Sequence, residues 1–133
     1  MITDCGMSFR YAGLHCVSVT GWAKGASYKP GDDITNEPAN HSWNAVHVDG
    51  NWYLLDCHWA TRHDDSSDVR TDFDDYYFLT DPVEMIYSHF PEDAAWQLLE
   101  SPWTGSKHVQ QLVMSFLLLS NLYWIASVSK LSF

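Results

Sequence analysis

An α+β fold is what this sequence predicts, and three stretches predict it. Residues 7–14 place Met7, Tyr11 and Leu14 at helical spacing, with Gly13 where a helix C-cap would sit. Residues 15–22 alternate in polarity and are rich in β-branched side chains, as a strand requires. Residues 40–56 carry two apolar, aromatic-rich runs on either side of Asp49-Gly50, the strongest short-range signal for a two-residue hairpin turn. The remnant of a helix followed by antiparallel strands is the α+β order.

The hairpin fixes a geometry. With Asp49 and Gly50 as the loop, Val48 faces Asn51, Trp43 faces Asp56 and His41 faces His58. Side chains alternate across a strand, so His41, Trp43, Ala45, His47, Trp52, Leu54, Asp56 and His58 share one face. On that face His41 and Asp56 are diagonal neighbours, about 7–8 Å apart at the backbone and within side-chain reach. An imidazole beside a carboxylate is the orienting half of a Cys-His-Asp or Ser-His-Asp site. By the same parity Cys57 points away from His41, and Asn44 lies on the opposite face as a structural residue.

Around the hairpin, Lys24 to Asn40 is rich in Gly, Pro, Asp and Asn and reads as a loop. A second, acidic loop covers 60–75. Residues 75–80 are expected as another strand, closed by Asp81-Pro82, and 83–90 as a short helical or turn segment. Residues 91–99 read as a helical turn or a further strand. Residues 112–128 are strongly apolar, a length at the bottom of the range for a membrane span. Ser115, Ser120, Asn121 and Ser127 interrupt them and no basic cluster precedes them, which favours a packed segment over an anchor. The expected division is therefore a domain over 1–100 and an apolar segment over 101–133.

Composition narrows the function. A chain of 133 residues with 46% hydrophobic content has room for one packed core. Its formal charge of -10 argues against nucleic acid and anionic membranes as partners. The acids Asp64, Asp65, Asp68, Asp72, Asp74 and Asp75 read as a solvated loop, because an EF-hand's glycine and glutamate spacing is missing. Three cysteines, Cys5, Cys16 and Cys57, make neither a disulfide framework nor a zinc knuckle and suit a reducing compartment. The acidic N-terminus lacks the basic start of a signal peptide, so a cytoplasmic location is expected.

These residues resemble a family. His-Ser-Trp-Asn-Ala-Val (41–46), Asp-Gly-Asn-Trp-Tyr-Leu-Leu-Asp (49–56) and Trp59 are similar to the core signature of transglutaminase-like domains. Ala12-Gly13-Leu14, Cys16 and the run from Val19 to Gly25 match the strand and loop before it. Residues 75–82, His89-Phe90-Pro91 and Trp96 to Leu99 resemble the kyphoscoliosis-peptidase and hillarin branch, which is animal, intracellular and linked to muscle or cytoskeleton. The resemblance implies a papain-like fold and thiol acyl transfer, with His41 as base and acid and Asp56 holding its tautomer. It also implies a nucleophilic cysteine at a helix start about four turns before Ala12, a position that falls ahead of this chain. The expectation is a domain shortened at its N-terminus. Cys5 is the candidate stand-in, too late by roughly two helical turns, or about 10 Å of rise. Without the full helix, the hairpin face with Trp43, Trp52 and Leu54 is expected to be exposed.

Two readings follow: a thiol acyl-transfer domain left inactive for want of its nucleophile, or a non-catalytic cytoskeletal interaction scaffold. Protein substrates or cytoskeletal proteins are the expected partners, and no cofactor or metal is expected. A metal set of His41, His58 and Asp56 is the competing reading of the same face.

Overall fold

The computed structural model describes residues 5–61, 73–105, 107, 108 and 118. The hairpin forms as its turn chemistry requires. Asp49 and Gly50 take φ of 49° and 82°, the left-handed pair of a type I′ turn. Strand β2 (His41–Val48) then pairs antiparallel with β3 (Asn51–Leu55), Val48 opposite Asn51 through Asn44 opposite Leu55. Before it, α1 (Cys5–Tyr11) ends at Gly13, whose φ of 80° turns the chain into β1 (His15–Ala23). Strand β1 pairs with β2 from His15 opposite His47 to Gly21 opposite His41. A three-residue strand, β4 (His89–Pro91), adds to the far side of β1 and completes a sheet of order β3-β2-β1-β4. An antiparallel sheet with a few short helices is an α+β fold.

Three segments depart from the sequence-based expectation. Asp56 does not continue β3. It becomes the N-cap of α2 (Cys57–Ala60), its side chain accepting the Trp59 N–H. His58 therefore stands on a helix and not across a ladder from His41. Residues 75–80 are not a strand: Asp74 accepts the Tyr76 N–H and starts a 3-10 turn over Asp75–Tyr77. A local side-chain acceptor here competes with the ladder and wins. Only Thr80 bridges to Leu54, its N–H bonding the Leu54 carbonyl at 2.9 Å. Asp81-Pro82 does not close a strand but opens α3 (Pro82–Met85), with Asp81 as cap and Pro82 in the first turn. In the 91–99 stretch Pro91 ends β4 and a 3-10 turn covers Ala94–Gln97, so both expected forms occur.

The sheet buries a cluster on each face. One holds Val19, Trp43, Ala45, Leu54 and Met85, with Trp52, Trp96 and Leu98 packed on it. The other holds Cys16, Val46 and Leu55, with Phe9, Leu14 and Cys57 against it. The hairpin face expected to be exposed is covered by α3 and the 94–98 turn, leaving Trp43 and Leu54 buried and Trp52 half-buried. Beyond residue 100 the chain still docks: Gln97 bonds both backbone groups of Trp103, and buried His108 bonds the Ile86 carbonyl at 2.9 Å. Among the described residues no helix is long and apolar enough to cross a membrane. Residues 112–128 lie outside the described residues apart from Leu118, as does most of the acidic loop.

Candidate active site

The site is built where β2, β3 and β4 end near one another. Asn40 sets the start of β2: its side chain accepts the Ala23 N–H at 2.8 Å and donates to the Ala23 carbonyl at 3.1 Å. His41 follows, on the face shared with Trp43 and Ala45. Across the turn, β3 delivers Asp56, which is 1% exposed. His41 Nε2 meets Asp56 Oδ2 at 2.5 Å. The diagonal pair read from the hairpin is in contact.

A third group meets them. His89 on β4 places Nε2 2.8 Å from the same Asp56 Oδ2, while its Nδ1 lies 2.7 Å from Ser88 Oγ. Two imidazoles thus converge on one carboxylate oxygen, and the other oxygen accepts the Trp59 N–H at 3.0 Å. Register explains the meeting. Gly21 sits between His41 on one side and Pro91 on the other, and His89 pairs with Ala23 two residues on. A Cβ at Gly21 would lie 2.2 Å from the Phe90 carbonyl oxygen and 2.8 Å from the edge of the Trp43 ring. The missing side chain lets β4 come close enough for His89 to reach Asp56.

Aromatic rings wall this polar group. Trp43 stacks on His41 with centroids 6.1 Å apart and meets His89 edge-on at 5.0 Å. Trp59 lies 5.6 Å from His41 and 4.6 Å from His89, and Tyr77 lies 6.0 Å from His89. His41 alone of the three keeps a partly exposed side chain, at 16%. Burial pushes the Asp56 carboxyl up, but the hydrogen bonds from His41, His89 and the Trp59 N–H, with the charge of His41, outweigh it and hold the carboxyl well below its usual range. Burial lowers His89 below the ordinary imidazole value, against the opposing pull of Asp56.

The same trio is a set of three metal-capable side chains, where the competing metal reading of the sequence had His41, His58 and Asp56. Ligands at 2.0–2.1 Å from a tetrahedral ion stand about 3.3 Å from one another. Separations of 2.5 and 2.8 Å are those of direct hydrogen bonds.

The cysteines lie elsewhere. Cys5, the candidate nucleophile, is joined to Cys57 in a disulfide, so the expectation of no disulfide is corrected. A residue separation of 52 gave no local hint of that pairing. Cys16 is buried in the cluster on the face away from His41. His89 was visible in the sequence only within the His-Phe-Pro motif, in a strand too short to show periodicity.

No protein-family model matches the chain. Curated relatives do. The LIM and transglutaminase domain protein ltd-1 of Caenorhabditis elegans is 45% identical over 103 residues, 69% of this chain and 14% of the relative. Hillarin of Drosophila melanogaster is 42% identical over 106 residues, covering 71% of this chain and 13% of hillarin. Mouse kyphoscoliosis peptidase is 40% identical over 95 residues, again 70% of this chain and 14% of the relative. The chain therefore spans about one seventh of the length of these relatives. With more than two thirds of its residues aligned at these identities, the chain belongs to the kyphoscoliosis-peptidase and hillarin branch of transglutaminase-like proteins.

Proposed function

We propose that this chain is a papain-like thiol acyl-transfer domain, of peptidase or transglutaminase type, in which His41 and Asp56 are the acid-base pair. The contact of His41 Nε2 with Asp56 Oδ2 carries the reading. With Nε2 committed to the carboxylate, Nδ1 is the nitrogen left to take a proton from a thiol and return it to a leaving amine. Asp56 fixes that tautomer and stabilises the imidazolium. The domain covers 1–100, with Trp103 and His108 still docked on it, and the apolar segment of 101–133 follows.

The chain on its own has little or no activity in this reading. Of its three cysteines, two are bonded to each other and the third lies on the far face of the sheet. The test is alkylation of the reduced chain across pH with peptide mapping, beside assays of amine incorporation and peptide hydrolysis. Ordinary or buried thiol behaviour and no turnover are expected. A cysteine titrating well below ~8.5, with that shift lost in His41→Ala, overturns the inactive reading.

The second reading is a cytoskeleton-associated scaffold that keeps the fold for binding protein partners. It is favoured by the same lack of a cysteine beside His41. Co-sedimentation of the chain with actin filaments or microtubules, unchanged by His41→Ala, is the expected result; no association with either polymer counts against it.

A further inference from the structure

We propose that His89 is a positioning residue for the His41–Asp56 pair, acting through the carboxylate oxygen that His41 itself uses. The proposal rests on the reading of His41 and Asp56 as the acid-base pair, and its tests do not depend on turnover.

A carboxylate on a short side chain turns about two bonds, and a single hydrogen bond leaves much of that freedom. Asp56 has three donors: His41 and His89 on Oδ2 and the Trp59 N–H on Oδ1. The donors come from three elements, so the orientation that His41 meets is set by the fold and not by His41. The proton on His89 is placed from both ends. Ser88 Oγ lies 3.3 Å from the Met85 carbonyl and 2.7 Å from Nδ1, and donating its single hydrogen to the nearer acceptor leaves the ring hydrogen on Nε2, 2.8 Å from Asp56. The opposite tautomer would set the Nε2 lone pair against a carboxylate. With its side chain at 0% exposure and three aromatic rings around it, His89 is shielded from a second proton. His89 is thus a fixed neutral donor, and the partly exposed His41 is the ring that exchanges protons.

Imidazole nitrogen NMR on the full chain near neutral pH tests the first claim. The expected state of His89 is neutral with hydrogen on Nε2; an imidazolium or an Nδ1–H tautomer overturns the proposal. The second claim is read from the titration of His41, whose ionisable neighbours are Asp56 in contact and the rings of His58 at 6.0 Å and His89 at 5.6 Å. In His89→Leu the Asp56 charge loses a donor and falls more fully on His41, so the His41 midpoint should rise by about 0.5–1 pH unit. His89→Gln, whose amide can donate from the place of Nε2, should restore it to within about 0.2 unit. No shift in the leucine variant, or equal shifts in both, overturns the proposal. Should the leucine variant not fold, Ser88→Ala decides: it removes one of the two groups that place the His89 hydrogen and should raise the His41 midpoint by a smaller amount, and an unchanged midpoint overturns the proposal. Absence of turnover in any assay bears on the acyl-transfer reading and leaves these readouts untouched.

Discussion

The two faces of the sheet follow different rules. On one, Cys16, Val46 and Leu55 pack under α1 with Phe9 and Leu14, and a disulfide ties α1 to α2. On the other, Val19, Trp43, Ala45, Leu54 and Met85 make an apolar floor that runs into a buried carboxylate with two imidazoles. The first face holds the chain together by area and by a covalent tie. The second spends burial on polar groups: Asp56 and both imidazoles are hydrogen-bonded, while the buried Trp43 indole N–H has no hydrogen-bond partner among the described residues.

Substitutions on the two faces should therefore fail differently. Asp56→Ala removes the acceptor of two imidazoles and the cap of α2, and should cost about 3–5 kcal/mol in urea unfolding. Reduction of Cys5–Cys57 should cost about 2–4 kcal/mol, since the bond closes a loop of 52 residues, and should leave the His41 titration in place. Leu55→Ala, on the same face, should cost about 2–4 kcal/mol through the cavity it leaves, again with His41 unmoved. If either change shifts His41 as strongly as a change at Asp56 does, the faces are not independent. Gly21→Ala should cost about 1–3 kcal/mol and push β4 outward, separating His89 from Asp56, which loss of the His89 Nε2–H signal would report.

Acid sharpens the contrast with the smallest change per pH unit. Burial lowers both His89 and His108, the latter to about 4 from an ordinary 6.5. As pH falls through about 6.5 the unfolded chain takes up these protons and the folded chain does not, so stability declines. Asp56, held low by its donors, adds to the loss once pH drops below about 4, where the unfolded carboxyl protonates first. Urea midpoints across pH 4–7 should show the decline, and His108→Phe should flatten it. A flat profile in the parent chain would mean these rings are not buried in neutral form.

How much of this was legible depends on reach along the chain. Asp49-Gly50 fixes φ in two adjacent residues, and strand parity then carries register outward to His41 and Asp56, so one local signal located the candidate pair. The α1 end at Gly13 and strand β1 were legible for the same reason. The aromatic run of residues 75–80 predicts a strand, while the Asp74 side chain, bonding Tyr76, decides for a turn. Asp56 lies on the face that strand parity predicts but caps a helix, and an aspartate before a short polar-apolar run is also an N-cap signal.

What the sequence determined alone is the hairpin, its register and hence the nearness of His41 to Asp56: all lie within 16 residues, where turn chemistry and a period of two suffice. Tertiary structure alone decided the rest. His89 reaches Asp56 from 33 residues away because β4 adds to β1 beside a glycine, and Cys5 meets Cys57 across a separation of 52. Contacts of that span are selected by packing of the whole sheet, and no local pattern encodes them.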